Sequence, residues 1–73
     1  MSKIPIISGK ECVKTLTKIG FYKKRQEGSH IILRRDNPFC QVIVPDHQVI
    51  AKGTLRSIIK SVGLSVNEFI ELL

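Results

Sequence analysis

The sequence has few of the residues from which metal centres and disulfide frameworks are built. Its 73 residues include two cysteines and two histidines, which are scattered along the chain. Because no Cys-x-x-Cys or His-x-x-x-His pair is present, no metal site is expected. Cys12 and Cys40 fall in apolar patterns and are interpreted as small core residues. Two cysteines without a signal-peptide pattern indicate a reducing cytoplasm.

Other patterns are missing as well, and each excludes a class of protein. The apolar runs are too short to span a membrane, and no glycine-rich phosphate loop is present. Apart from two carboxylates at predicted helix caps, the acids show no paired spacing suited to two-metal or acid–base chemistry. Those remaining acids are Glu27, Asp36, Asp46 and Glu71. Histidine is therefore the side chain best suited to proton transfer at neutral pH.

Acidic residues are scarce relative to basic ones. Twelve Lys and Arg against six Asp and Glu give a formal charge of +6. The excess lies in residues 1–35, where nine cations face only Glu11 and Glu27. Such a balance favours phosphate-rich partners, although a solvated basic surface explains it equally well.

The residues that are present predict an α+β fold. Ser8 and Glu11 have the spacing of a capping box that opens an amphipathic helix, and Gly20 ends it. Three strand-like segments follow, and then a second helix that Gly63 ends. Ser65 and Glu68 repeat the capping box before a short closing helix. The strands are "FYKKRQ", "SHIILRR" and "FCQVIVP", and the second helix is "KGTLRSIIKSV".

The order helix, three-stranded antiparallel sheet and helix is that of double-stranded-RNA-binding domains, and a short C-terminal helix follows it here. We expect residues 1–73 to form one such domain, which begins with an extended arm in "MSKIPII". Both helices carry a basic stripe at i, i+4, i+8 spacing. In the second helix this stripe is Lys52, Arg56 and Lys60, for which a merely solvated face is the alternative.

His30 stands where a predicted hairpin turn becomes a strand. A three-residue loop with Gly28 in the left-handed region would form a bulge and re-aim Ser29 and His30. The imidazole would then be held at the rim of the fold, within reach of a substrate. The competing interpretation is a structural histidine bonded to a turn carbonyl.

The second and third strands carry apolar residues on both faces. A sheet covered by helices on one side should be polar on the other. We therefore expect the second apolar face, with Ile31 and Leu33 as candidates, to be covered by a partner.

Several segments together resemble the HicA family of small toxins from type II toxin–antitoxin modules. The most specific are the Gly-Ser-His element at residues 28–30 and the Lys-Gly-Thr-Leu-Arg block at residues 52–56. The resemblance covers nearly the whole chain, in the order of the family. The other matching segments are "SGKE" (8–11), "GF" (20–21), "VPDH" (44–47) and "GLSVNEF" (63–69).

The resemblance implies a double-stranded-RNA-binding-domain-like fold and a metal-independent ribonuclease that cleaves mRNA until a HicB-type antitoxin blocks it. The catalytic histidine of the family falls on His30, with Gly28 and Ser29 setting the geometry. At position 27 the family often has a basic or polar residue, whereas this chain has Glu27. His47 matches a family position whose role stays open.

The main hypothesis is a cytoplasmic mRNA endoribonuclease without a cofactor, in which His30 acts as general acid or base. The candidate RNA contacts are Lys24, Arg25, His47, Lys52, Arg56 and Lys60. The rival is a non-catalytic RNA-binding module of the same fold. A third possibility is a protein-interaction domain whose positive charge meets an acidic partner.

Overall fold

The computed structural model describes residues 3–73. Three helices and three strands follow one another in the predicted order, which confirms the α+β class and the double-stranded-RNA-binding-domain-like arrangement. Residues 3–7 have no regular secondary structure, and positions 1 and 2 of the predicted arm lie outside the described residues. The elements are α1 (Gly9–Thr17), β1 (Tyr22–Glu27), β2 (His30–Asp36), β3 (Phe39–Pro45), α2 (Lys52–Ser61) and α3 (Val66–Leu72).

The helix ends are set by the residues that the sequence indicated. The Ser8 backbone N–H donates to Glu11 Oε1 (3.0 Å), and the Glu11 N–H donates back to Ser8 Oγ (3.1 Å). Ser65 and Glu68 form the same reciprocal pair at α3. These bonds satisfy backbone donors that a helix start otherwise leaves free. Both predicted capping boxes are confirmed.

The sheet has the order β1-β2-β3, and both pairs of strands are antiparallel. One face packs against the helices to form the core. The fully buried side chains of this core include Leu33 of β2, Leu16 of α1, Leu55 of α2 and Phe69 of α3. Since β2 lies between two strands, its backbone is the most constrained of the three.

Helices α1 and α2 both begin at the end of the sheet where His30 lies. The Gly9 N–H at the start of α1 donates to the His47 carbonyl (2.9 Å), just beyond the end of β3. Helix α2 then runs back along β3, so that the Cys40 thiol donates to the Ser61 carbonyl (3.4 Å). Two positive helix-dipole ends therefore point towards the same end of the molecule as His30.

Cys12 and Cys40 are both free thiols. Cys12 is fully buried and Cys40 is half-buried, and both pack with the core as predicted. Burial raises the pKa of the Cys12 thiol to about 12. Within residues 3–73, no helix has the length and apolar character needed to cross a bilayer.

Candidate functional site

His30 is the first residue of β2 and has a paired strand on either side. Its register partners are Glu27 of β1 and Pro45 of β3. Beside it, the Asp46 N–H donates to the Ser29 carbonyl in a 2.7 Å bond. The His30 side chain is exposed. The imidazole therefore stands in solvent on a backbone that its neighbours fix from two sides.

The turn before His30 is shorter than predicted. Glu27 pairs directly with His30, which leaves Gly28 and Ser29 as a two-residue turn. The φ of Gly28 is +60°, and no non-glycine residue among residues 3–73 has a positive φ. These values fit a type II′ turn, in which glycine takes the first central position. The predicted three-residue loop with a bulge at Gly28 is wrong, because the bulge of this hairpin lies in β1 instead.

The bulge falls at Lys24, where the register of β1 against β2 shifts between Lys23 and Arg25. In a regular strand, every second side chain points to the same face. The extra residue moves Arg25 and Glu27 onto the face that carries His30. Arg25 pairs with Ile32 and Glu27 pairs with His30, and Arg25 Nε lies 2.6 Å from Glu27 Oε2.

The sheet face turned away from the helices carries both polar and apolar side chains; we call it the outer face. Phe39 and Ile43 are 64% and 55% exposed there. The cross-strand pairs give it a formal charge of zero with histidine neutral, because Arg25 and Arg34 are matched by Glu27 and Asp36. Its members are Tyr22, Arg25, Glu27, His30, Ile32, Arg34, Asp36, Phe39, Gln41, Ile43 and Pro45.

The end of the outer face distant from His30 is held by a polar cluster. Arg34 Nε lies 2.9 Å from Asp36 Oδ1, and the Arg34 guanidinium stands 5.1 Å from the Phe39 ring centroid. The Tyr22 hydroxyl donates to Asp36 Oδ2 (3.0 Å). Partial desolvation, this bond and the Asp36 charge raise the pKa of Tyr22. These contacts keep exposed aromatic rings in place on an open surface.

The prediction that Ile31 and Leu33 face a partner is wrong. Both are buried in the core, at 5% and 0% exposure, beneath the helices. The apolar residues of the opposite face are Ile32 and, on β3, Phe39 and Ile43. The expectation of a second apolar face therefore holds, but for the other set of residues.

His47 lies near the same end of the molecule, on the side of α1. Its carbonyl accepts the bond from Gly9, and its side chain is exposed. A shallow pocket there is lined by Ser8, Lys10, Asp46, His47 and Gln48. His30 is not among these residues, so this pocket does not unite the two histidines.

The candidate RNA contacts spread over much of the surface. Lys52 opens α2 near the end where His30 lies, and Lys60 is about 12 Å further along the helix at 1.5 Å per residue. Arg56 lies between them, and all three are exposed. No side chain caps the start of α2, because Ala51 is the N-cap residue. Lys24 occupies the bulge in β1.

Among residues 3–73, no three His, Cys, Asp or Glu side chains converge as a metal ion would require. The side chains nearest to His30 on the outer face of β1 are the Glu27 carboxylate and the Arg25 guanidinium. Alternation along the sequence did not identify Glu27 and Arg25 as neighbours of His30. The Gly28–Ser29 pair is a usual signature of the type II′ turn, whereas the Lys24 bulge leaves no clear trace in residue type.

The described residues form a small α+β domain with a double-stranded-RNA-binding-domain-like fold, and an exposed histidine stands on its first hairpin. Comparison with protein families shows to which family the chain belongs. The profile of the HicA toxins of bacterial toxin–antitoxin modules matches residues 9–64. The chain therefore belongs to the HicA family and is a toxin of a toxin–antitoxin module. No individual curated protein matches the sequence significantly.

Proposed function

We propose that the chain is a metal-independent mRNA endoribonuclease in which His30 transfers a proton. The observation that carries this proposal is the position of His30, which is exposed on a backbone that Glu27 and Pro45 hold from both sides. Membership of a toxin family adds support. We assign the proposed cleavage of mRNA to the cytoplasm, where mRNA is translated.

An enzyme that cleaves RNA needs few catalytic groups, because the RNA contains its own nucleophile. The 2′-hydroxyl can attack the adjacent phosphate when a base removes its proton and an acid protonates the leaving oxygen. Cations then stabilise the negative charge on the non-bridging oxygens of the phosphorane. Gly28 and Ser29 set the position of His30. The candidate phosphate contacts are Lys24, Arg25, Lys52, Arg56, Lys60 and His47.

Incubation of the protein with long single-stranded RNA in EDTA tests the activity. We expect cleavage by the wild type and its loss in His30→Ala. Because His30 is exposed, the variant should keep its melting temperature within a few degrees. His47→Ala serves as the comparison for a histidine nearby. Cleavage that persists unchanged in His30→Ala would remove His30 from the mechanism.

The rival function, a non-catalytic RNA-binding module, gives a different result in the same experiment. It predicts RNA binding that weakens steeply with salt and no cleavage. A protein-interaction domain predicts no affinity for RNA even at low salt. The exposed imidazole on a doubly supported strand favours the enzyme over both.

We further propose that a HicB-type antitoxin inhibits the toxin by covering the outer face. Phe39 and Ile43 expose apolar surface there, and the face carries no net charge. The apolar part of this face around Phe39 and Ile43 suits a protein partner better than a polyanion. Since His30 lies at one end of this face, a protein seated on it would also block access to the imidazole.

A further inference from the structure

We infer that Glu27 is the general base that works with His30 as general acid. This inference rests on the proposed function and assigns the second proton transfer, which one histidine cannot perform alone in a single attack.

The first support is register. Glu27 and His30 are directly opposed on β1 and β2. Directly opposed residues point to the same face, with Cβ atoms about 4.5–5.5 Å apart. The two-residue turn at Gly28 and Ser29 closes the hairpin immediately beside them. A carboxylate and an imidazole thus stand side by side at an exposed end of the sheet.

The second support is the bulge at Lys24. Counting from Tyr22, strict alternation would place Lys24 and Gln26 on the outer face and would turn Glu27 towards α1. Instead, Lys23 and Gln26 line a pocket with Lys10 of α1. The irregularity in β1 thus has a chemical consequence, since it brings the acid to the histidine.

Arg25 supplies the third support. Its Nε donates to Glu27 Oε2 (2.6 Å), and the two side chains are 53% and 63% exposed. The guanidinium keeps other N–H donors beyond this bond. Arg25 can therefore hold the carboxylate in place and offer the remaining donors to a phosphate oxygen. Its charge also offsets the repulsion between Glu27 and the RNA backbone.

The other acid–base groups at this end of the molecule are less suitable. The Asp46 carboxylate accepts a bond from Gln26 Nε2 (3.3 Å), and that amide also donates to the Gly28 carbonyl (3.0 Å). Asp46 thereby fastens the turn on the side facing α1. His47 lines the pocket beside Ser8 and Lys10. Neither shares the outer face with His30.

The reaction proposed for Glu27 and His30 requires neither a metal nor a cofactor. The Glu27 carboxylate takes the proton of the 2′-hydroxyl as the 2′-oxygen forms a bond to phosphorus. The bond from phosphorus to the 5′-oxygen breaks, and protonated His30 gives its proton to that oxygen. The products are a 2′,3′-cyclic phosphate and a 5′-hydroxyl end.

Two charged or titratable side chains adjoin Glu27 on the outer face. Arg25 adjoins it on β1 and His30 opposes it on β2. The β3 residue in the same row, Pro45, has no charge, and Asp46 is bonded to Gln26. A base that must be ionised and an acid that must be protonated give a bell-shaped dependence of rate on pH.

The test is a single-turnover cleavage series in EDTA, from about pH 4.5 to about pH 9, on an RNA oligonucleotide that the wild type cuts. Glu27→Gln should slow cleavage at neutral pH by about 10²–10⁴-fold, the usual contribution of a positioned base. It should also abolish the fall in rate at the acidic end. Glu27→Asp should retain that fall at an intermediate rate. A cyclic phosphate end should be found on the product.

Glu71→Gln is the matched control, since Glu71 is an exposed carboxylate on α3. It should leave both the rate and the pH profile unchanged. The melting temperatures of all three variants should match the wild type.

Different results would contradict the proposed function and the role of Glu27. A wild type that leaves RNA intact in EDTA removes the proposed function, and the role of Glu27 with it. Another set of results overturns the role of Glu27 alone. In that case the wild type cuts RNA, His30→Ala does not, and Glu27→Gln cuts at a rate within about threefold of the wild type and with the same pH profile.

Discussion

Gly9 and Pro45 approach each other so closely that no other residue fits at position 9. A Cβ placed on Gly9 would lie 2.1 Å from the Pro45 carbonyl oxygen and 3.0 Å from the Asp46 Cα. The Gly9 N–H donates to the His47 carbonyl at the same place. The start of α1 is therefore locked to the segment that follows β3. Through the bond from Asp46 to Ser29, that segment also supports the residue before His30.

Gly9→Ala should consequently damage both stability and the candidate site. The atom that the new methyl group meets belongs to the backbone, so residues 45–47 must move. Overpacking of this kind costs about 1–3 kcal/mol in the free energy of unfolding. Urea unfolding measures the loss, and the cleavage rate under native conditions should fall as well.

Gly53→Ala is the control for this substitution. Gly53 also lies in the first turn of a helix, but nothing stands within 4 Å of a Cβ placed there. Alanine should raise the free energy of unfolding, by up to about 1 kcal/mol. Equal losses from the two variants would contradict the locking contact between Gly9 and Pro45.

The elements of the fold could be predicted from the sequence because their signals are local. A capping box lies within four residues, so Ser8 with Glu11 and Ser65 with Glu68 identified two helix starts. Hydrophobic periodicity over a turn or more identified the buried sides of the helices. In these places the interactions that decide the structure are encoded within one turn of helix.

The choice between the two faces of β2 could not be predicted in the same way. Ile31, Ile32 and Leu33 are consecutive and similar in size, so alternation gives two equivalent solutions. The structure is decided by the side on which α1 and α2 pack, which is a long-range property. The bulge at Lys24 was missed for a related reason, since three consecutive cations have no hydrophobic period that could reveal a shift in register.

Substitutions on the two faces of the sheet should differ sharply in their cost. Leu33→Ala removes a fully buried side chain and should lower the free energy of unfolding by about 2–5 kcal/mol. Ile43→Ser, at a side chain that is 55% exposed, should cost no more than about 1 kcal/mol. Chemical unfolding of both variants checks the assignment of faces, which similar losses would contradict.

The proposed antitoxin surface predicts a selective loss of binding. Ile43→Lys and Phe39→Ser should each weaken the complex with the antitoxin, tenfold or more, because apolar residues at interface centres dominate affinity. The partner for the measurement is the proposed HicB-type antitoxin, and the binding is titrated calorimetrically. Val49→Ser is the matched control, since Val49 is 59% exposed but lies outside the outer face. Its affinity should equal that of the wild type, and a loss as large as that of Ile43→Lys would refute the proposed surface.

Cys12 should make stability depend on pH in the alkaline range. Its pKa is raised from 9.0 to about 12 by burial in the folded state. Between these values the unfolded thiol loses its proton while the folded thiol keeps it, so the unfolded state is favoured as the pH rises. The contribution is present in full below pH 9 and is lost above it, by at most about 1.4 kcal/mol per pH unit.

Urea unfolding of the wild type and Cys12→Ala from about pH 8 to about pH 10.5 measures this effect. The variant is expected to be less stable at pH 8, because it leaves a cavity. Its stability should nevertheless fall less steeply with pH. Parallel curves for the two proteins would show that the thiol of Cys12 is not the group responsible.

The position of each cation along α2 predicts a graded effect on RNA binding. Lys52 lies at the end of the helix nearest His30, whereas Lys60 lies in its last turn. Lys52→Gln should therefore weaken binding more than Arg56→Gln, and Arg56→Gln more than Lys60→Gln. Each lost phosphate contact should also reduce the slope of log affinity against log salt by about 0.7 for single-stranded RNA.

Lys18→Gln provides the reference for these variants. Lys18 lies at the far end of α1, where its Nζ donates to the Leu72 carbonyl. Its charge is equal to that of Lys52, but we place it away from the bound phosphates. Fluorescence anisotropy in a salt series should give Lys18→Gln the wild-type slope and Lys52→Gln a shallower one. If both slopes change alike, RNA responds only to the total charge of the protein, and the assignment of Lys52 as a specific contact is wrong.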